Sequence, residues 1–392
     1  MYSNRLDWTL AANRISVALA ARRSAGAPVL DLTESNPTAA GFDYPRAEIL
    51  GALADPAALL YQPAPAGLMK ARRAVSECYA ARGLHVEPER VLITASTSEA
   101  YSHVMKLLAS PGDQILVPRP SYPLFEFLAC LESVDVVQYP LLYDHGWMID
   151  FHRLEEAASP RARAMVLVNP NNPTGSYVKK QELEQIVEFC SRRGLALISD
   201  EVFAEFPLRS DSQRVESLAS NEGVLTFSFG GLSKSCGLPQ MKLGWIVVAG
   251  PRALRDEAFT RLELVADTYL STGAPVQHAL PRLLRAGQVV REQIRNRTAE
   301  NLRSLRAAVN AGSACRVLDV EGGWSAVLSV PRVLTEEEWT LALLEKDGVV
   351  VQPGYFFDFE SEAYLVVSLL TRQDIFETGL TRLLQRIVHS SG

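Results

Sequence analysis

The sequence has few cysteines, few histidines and no excess of basic charge, and each shortage removes a class of function. The five cysteines among 392 residues, Cys78, Cys130, Cys190, Cys236 and Cys315, are scattered and never spaced Cys-x-x-Cys. That pattern opposes a disulfide framework and a zinc knuckle, and a reducing cytoplasm is the expected compartment. Six histidines form no close ligand pair, so no metal site is expected. Lys plus Arg total 39 against 45 Asp plus Glu, a formal net charge of −6. This opposes a nucleic-acid partner, which usually demands a basic stripe. The densest basic stretch, Arg291 to Arg306, alternates with polar and apolar residues as a solvated helix face does. No run approaches the roughly 18 apolar residues that span a bilayer, so no membrane partner is expected. Ile15 to Ala21 is too short for a signal peptide and is wrongly flanked, by Arg14 and Arg22. Repeats and low-complexity linkers are lacking too. What remains, 47% apolar and 21% charged residues, is ordinary globular composition. The length exceeds the roughly 250 to 300 residues at which one core stops growing, so more than one domain is expected.

The pattern changes along the chain. Residues 8–23 read as a helix, and 29–65 are rich in turn residues such as Asn36-Pro37 and Gln62-Pro63-Ala64-Pro65. A helix is expected from Gly67 to about Ala81. Short apolar runs at 91–94, 115–117, 134–138, 164–168, 195–199, 224–228 and 243–249 then read as strands, with helices over 98–109, 121–131 and 179–193 between them. This alternation predicts an α/β fold: a mostly parallel seven-stranded sheet flanked by helices. After Pro275 a long helical region extends to about Asn310, followed by strands near 325–330, 349–352 and 364–369. The large domain is expected over 46–285, and a smaller α+β domain from both chain ends, 1–45 with 286–392.

Open parallel sheets bind ligands beyond the carboxyl ends of their strands, so the residues following each strand carry the functional information. Strand 91–94 is followed by Ala95-Ser96-Thr97-Ser98-Glu99 opening a helix, and strand 164–168 by Asn169-Pro170-Asn171-Asn172-Pro173-Thr174-Gly175. Strand 195–199 leads into Asp200-Glu201, and strand 224–228 into Gly230-Gly231-Leu232-Ser233-Lys234. Each has a plain alternative: a helix cap, a turn, another cap, a surface lysine. Their co-occurrence at the ends of one sheet suits pyridoxal 5′-phosphate. That cofactor needs a lysine amine, a carboxylate for its ring nitrogen, a helix N-terminus for its phosphate and an aromatic face such as Tyr122.

With these motifs in place the chain resembles the class I aminotransferases of the fold-type I pyridoxal phosphate enzymes. The resemblance runs from Asn36-Pro37 to about Arg372. It rests on Asn-Asn-Pro-Thr-Gly ending at Gly175, on Asp200-Glu201, and on Gly231-Leu232-Ser233-Lys234 with Leu243-Gly244-Trp245 behind it. It implies that Lys234 bonds the cofactor and acts as the general base, that Asp200 pairs with the ring nitrogen, and that Asn172 bonds the ring oxygen. Ser96, Thr97 and Ser98 would hold the phosphate, and Tyr61 would reach the phosphate of a neighbouring subunit in a homodimer. Trp324, in Gly322-Gly323-Trp324, would line the substrate pocket.

Three positions depart from the family pattern. Lys242 stands where an arginine usually forks the phosphate, keeping charge without the bidentate geometry. Phe203 replaces a tyrosine that donates to the ring oxygen, which should raise the proton affinity of the lysine-bound cofactor. Val366 occupies the place of the arginine that binds the substrate carboxylate, and Arg372 is the nearest arginine that follows. The expected activity is amino transfer from an amino donor to a 2-oxo acid or other carbonyl acceptor. Phe203 and Val366 leave open a carbon–sulfur β-lyase or another eliminating or cyclising enzyme on the same scaffold. A cofactor-binding regulator without turnover is a third reading, opposed by the weakly basic stretch before Val29.

Overall fold

The computed structural model describes residues 2–8, 11–309 and 313–391. In chain order its strands are β1 (Leu30–Asp31), β2 (Val91–Thr94), β3 (Gln114–Arg119), β4 (Asp135–Tyr143), β5 (Trp147–Ile149), β6 (Ala162–Val168) and β7 (Ala196–Asp200). They continue as β8 (Thr226–Gly231), β9 (Gly244–Ala249), β10 (Arg316–Val317), β11 (Ser325–Ser329), β12 (Val349–Val350), β13 (Gln352–Pro353) and β14 (Tyr364–Ser368). The large sheet has the order β2-β9-β8-β7-β6-β3-β4-β5. Neighbours from β8 to β4 run parallel, whereas β9 opposes both β8 and β2. All seven expected strands are present. An eighth, β5, pairs antiparallel with the extended end of β4, at Leu141↔Ile149 and Tyr143↔Trp147.

Strands β2, β8 and β9 are buried along their whole length, which explains their uninterrupted apolar or small residues. One face packs Tyr101, Val104 and Met105 of the helix Thr97–Leu108 against Phe227, Phe229 and Ile246. The other packs Ile93, Trp245 and Val247 against Ala71, Val75, Leu280 and Leu283. Each fully buried Leu or Phe contributes about 1.5–3 kcal/mol relative to exposure.

The expected helical region after Pro275 is one helix, Ala274–Ala308, of 35 residues. At 1.5 Å per residue it spans roughly 50 Å. It buries Leu280 and Leu283 in the large-sheet core and Leu302 and Leu305 in a second core with Leu32, Trp339 and Leu365. That second core carries the antiparallel sheet β10-β11-β14-β13. The chain ends meet there, because β1 pairs parallel with β12 at Leu30↔Val349.

Boundaries shift for local reasons. The expected strand 349–352 is two short strands, β12 and β13, serving different sheets on either side of Val351. The expected helix 121–131 begins at Leu124, with Pro123 as its N-cap residue. The first helix is Arg14–Ser24, capped by Asn13, whose side chain accepts from Ser16 N; residues 9 and 10 of the expected span lie outside the described residues.

Candidate active site

Strands β2, β6, β7 and β8 end on one edge of the large sheet, and their following residues build the site. Beyond β2, the helix Thr97–Leu108 starts at Ser96, whose Oγ accepts from Glu99 N at 3.1 Å, while Glu99 accepts from Ala95 N at 2.7 Å. The Ser96 hydroxyl is therefore occupied as a cap. The backbone N–H groups of Thr97 and Ser98, in the first turn, have no intrahelical partner and form a positive helix end. Gly244 lies beside this turn: a Cβ there would sit 3.1 Å from Ser96 C and 3.2 Å from Thr94 Oγ1. Glycine at that place leaves room where an anion can approach backbone donors.

Beyond β6 the three asparagines divide their labour. Asn169 accepts from Val178 N and donates to Val215 O. Asn171 donates to Pro120 O and Thr174 Oγ1 and accepts from Ser121 Oγ. Asn172 alone keeps its amide N–H group free, with only its Oδ1 engaged, by Ser325 Oγ at 3.1 Å. Gly175 closes this turn at φ +72°, and a Cβ would strike Gly322 O at 2.5 Å. That contact presses the turn onto the Gly322-Gly323-Trp324 loop.

Beyond β8, Lys234 sits on the single turn Leu232–Ser235. Its Nζ lies 5.0 Å from the Trp324 ring and 5.6 Å from the Phe203 ring and makes no hydrogen bond or ion pair among the described residues. Burial lowers its proton affinity, partly opposed by the charge of Asp200. At the end of β7, Asp200 Oδ1 accepts from Val202 N at 3.2 Å and Oδ2 from the Tyr101 hydroxyl at 3.1 Å. Burial pushes its pKa up to about 6, against the pull of those donors. The neighbouring Glu201 is committed elsewhere, accepting from Ser199 Oγ, Ser217 Oγ and Leu218 N.

Trp324 is buried and meets Phe203 and Phe206 edge-on, with ring centroids 5.2 and 5.1 Å apart. It thus forms one wall beside the lysine amine. The other expected residues show no contact with Lys234 among the described residues. Tyr122 is 47% exposed and lines a groove of about 1100 Å³ with Arg119, Phe125, Glu126 and Asp358. Tyr61 is 83% exposed and borders a cavity of about 230 Å³ with Leu68, His103 and Gln277. Lys242 is exposed at φ 50°, following the turn Pro239–Met241. Arg372 is paired with Asp374 at 3.0 Å on the surface. Val366 is buried with Leu318, Val327 and Phe357. Two contacts escaped the sequence reading: Tyr101 on Asp200, and Ser325 on Asn172. Tyr101 falls four residues after Thr97, on the same helix face, which is the one signal that sequence offered.

The profile of the aminotransferase class I and II family matches residues 27–378. The chain belongs to that family. Over 271 residues it is 33% identical to glutamate-pyruvate aminotransferase AlaA of Escherichia coli K12, covering 69% of this chain and 66% of that protein. Against AlaA of Haemophilus influenzae Rd the identity is 26% over 369 residues, covering 91% of this chain and 90% of that protein. An aminotransferase structure from Escherichia coli superposes with a TM-score of 0.86 at 26% identity, covering 99% and 98% of the two chains. The family's enzymes transfer amino groups and depend on pyridoxal phosphate. The unpartnered Lys234 amine, the Asn172 amide, the Asp200 carboxylate and the open helix end beside Gly244 fit that cofactor. Among the described residues no helix is long and apolar enough to cross a membrane, and none of the His, Cys, Asp and Glu groups could hold a metal.

Proposed function

We propose that this protein transfers an amino group between a 2-amino acid and a 2-oxo acid, using Lys234 as the covalent and proton-moving group. The observation that carries the reading is the Lys234 amine: half-buried, without a hydrogen bond or ion pair among the described residues, and framed by Trp324 and Phe203. Burial favours the neutral amine, the form able to attack a carbonyl carbon and then accept a proton. When bound, pyridoxal phosphate supplies an electron sink for the carbanion formed at the substrate α-carbon. Asp200 holds the ring nitrogen, and Asn172 donates its free amide to the ring oxygen. The N–H groups of Thr97 and Ser98, with Ser96 shaping the turn, bind the phosphate, and Lys242 adds its charge. Trp324 excludes water from one side of the amine.

Glutamate and pyruvate are the first donor and acceptor to try, because the AlaA relatives are named for them. The exposed Tyr61 and Tyr122 suit roles completed by a second copy of the chain, Tyr61 at the partner's phosphate and Tyr122 over the ring. A cytoplasmic homodimer is the assembly this reading favours, with the site between a large domain, 46–285, and a small one, 1–45 with 286–392. The test is an absorbance spectrum of the purified protein during addition of single amino acids without an acceptor. Conversion of the visible band to that of the aminated cofactor identifies the donor. An unchanged band with release of pyruvate and ammonia overturns the reading in favour of a β-lyase.

A further inference from the structure

Asp200 has two donors, the Val202 N–H and the Tyr101 hydroxyl. Tyr101 sits on the second turn of the helix Thr97–Leu108, whose N-terminus faces the same sheet edge. Its ring is 3% exposed and clamped edge-on by Phe229, with centroids 4.8 Å apart, and by Phe125 at 5.6 Å. These contacts leave the ring no alternative rotamer without opening a void in the core. The hydroxyl is thereby held on Asp200 Oδ2 at 3.1 Å.

We propose that Tyr101 is a positioning residue that keeps the proton on the ring nitrogen of the bound cofactor rather than on Asp200. The inference rests on the assignment of Asp200 to that nitrogen. A phenol O–H donating to a carboxylate stabilises its charged form and lowers its basicity. In a buried pair of a carboxylate and a pyridine nitrogen, the proton goes to the partner of higher basicity. Weakening Asp200 as a base therefore favours the protonated ring, the form that draws electrons from the substrate α-carbon. The hydroxyl itself stays protonated, since burial and the Asp200 charge both raise its pKa. The other charged groups near Asp200 do not substitute for it. Burial disfavours the charge of Lys234, and Glu201 already accepts from Ser199, Ser217 and Leu218. Tyr139, the other buried phenol in its surroundings, donates instead to Val166 O at 2.7 Å.

The experiment is nitrogen-15 NMR of the holoenzyme reconstituted with cofactor labelled at the ring nitrogen, followed over pH. In the unaltered protein the resonance is expected in the pyridinium range. In Tyr101→Phe, which keeps the ring and its packing, it should move toward neutral pyridine. The change should appear below the titration midpoint, as a roughly tenfold shift in the ratio of protonated to neutral ring nitrogen, the size of one hydrogen bond to a charged group. A second variant carries 3,5-difluorotyrosine at position 101, a stronger donor of nearly the same shape, and should shift that ratio the opposite way. Identical resonance positions in all three proteins overturn the role of Tyr101 and leave Asp200 standing. A neutral ring nitrogen already in the unaltered protein overturns the assignment of Asp200, and the Tyr101 proposal with it.

Discussion

At the carboxyl edge of the large sheet, polar groups are left without partners. The Lys234 amine, the Asn172 amide and the first N–H groups of the helix Thr97–Leu108 have no hydrogen-bond partner among the described residues. Around the antiparallel sheet the opposite holds. Glu336 is 2% exposed, and its carboxylate accepts from Tyr355 N at 2.6 Å and Tyr364 N at 2.7 Å, while Val366 on β14 is closed in by Leu318, Val327 and Phe357. Polar groups held partly out of water are ordinarily satisfied, so half-buried Lys234 and Asn172, with donors to spare, are where a ligand would complete the structure. The satisfied sheet is scaffold. Asp200 and Glu201 repeat the contrast at adjacent positions, one with acceptor capacity to spare and the other fully engaged.

This contrast can be broken most severely at Lys234. Lys234→Ala should lower amino transfer at least roughly a thousandfold, as loss of a general base does, with an unchanged melting temperature. A variant retaining a tenth of the activity would move the chemistry elsewhere. On the scaffold side, Val366→Arg should cost about 3–5 kcal/mol in denaturant unfolding, the penalty of an unpaired buried charge. An equally stable variant with a lower KM for 2-oxo acids would instead assign β14 to the substrate wall.

A smaller and pH-dependent effect is expected at Asp200 in the cofactor-free protein. Its folded-state pKa of about 6 lies above the usual aspartate range, so the folded state holds the proton more tightly than the unfolded chain. The stability it contributes is complete below about pH 4 and is lost as pH rises through about 6. Asp200→Asn should therefore gain stability relative to the parent between pH 4 and 7, by about 2 kcal/mol, read from unfolding midpoints at each pH. A difference that does not change with pH would mean that Asp200 is not desolvated. The smallest effect belongs to Arg372. Its exposed pair with Asp374 predicts that Arg372→Ala leaves both stability and KM for carboxylate substrates unchanged. A tenfold rise in KM would return Arg372 to the substrate site.

The large sheet was readable because strands buried on both faces must be continuous apolar runs, as β9 is and as β6 is from Ala164 onward. The short β5 was not, since of Trp147, Met148 and Ile149 only Ile149 is buried. Lys234, Asp200 and Asn172 were legible because each lies at or within a few residues of the end of such a run. Tyr101 was not, because an aromatic residue on the buried face of an amphipathic helix reads as core, and only the fold reveals which acceptor its hydroxyl meets. Ser325 was hidden for the same reason: its bond to Asn172 joins residues 153 positions apart.

The most direct test of the central claim is to reduce the purified, cofactor-loaded protein with borohydride and map the modified peptide by mass spectrometry. The account predicts a phosphopyridoxyl group on Lys234 alone. Modification of Lys242, Lys179 or another lysine, or of none, would contradict it.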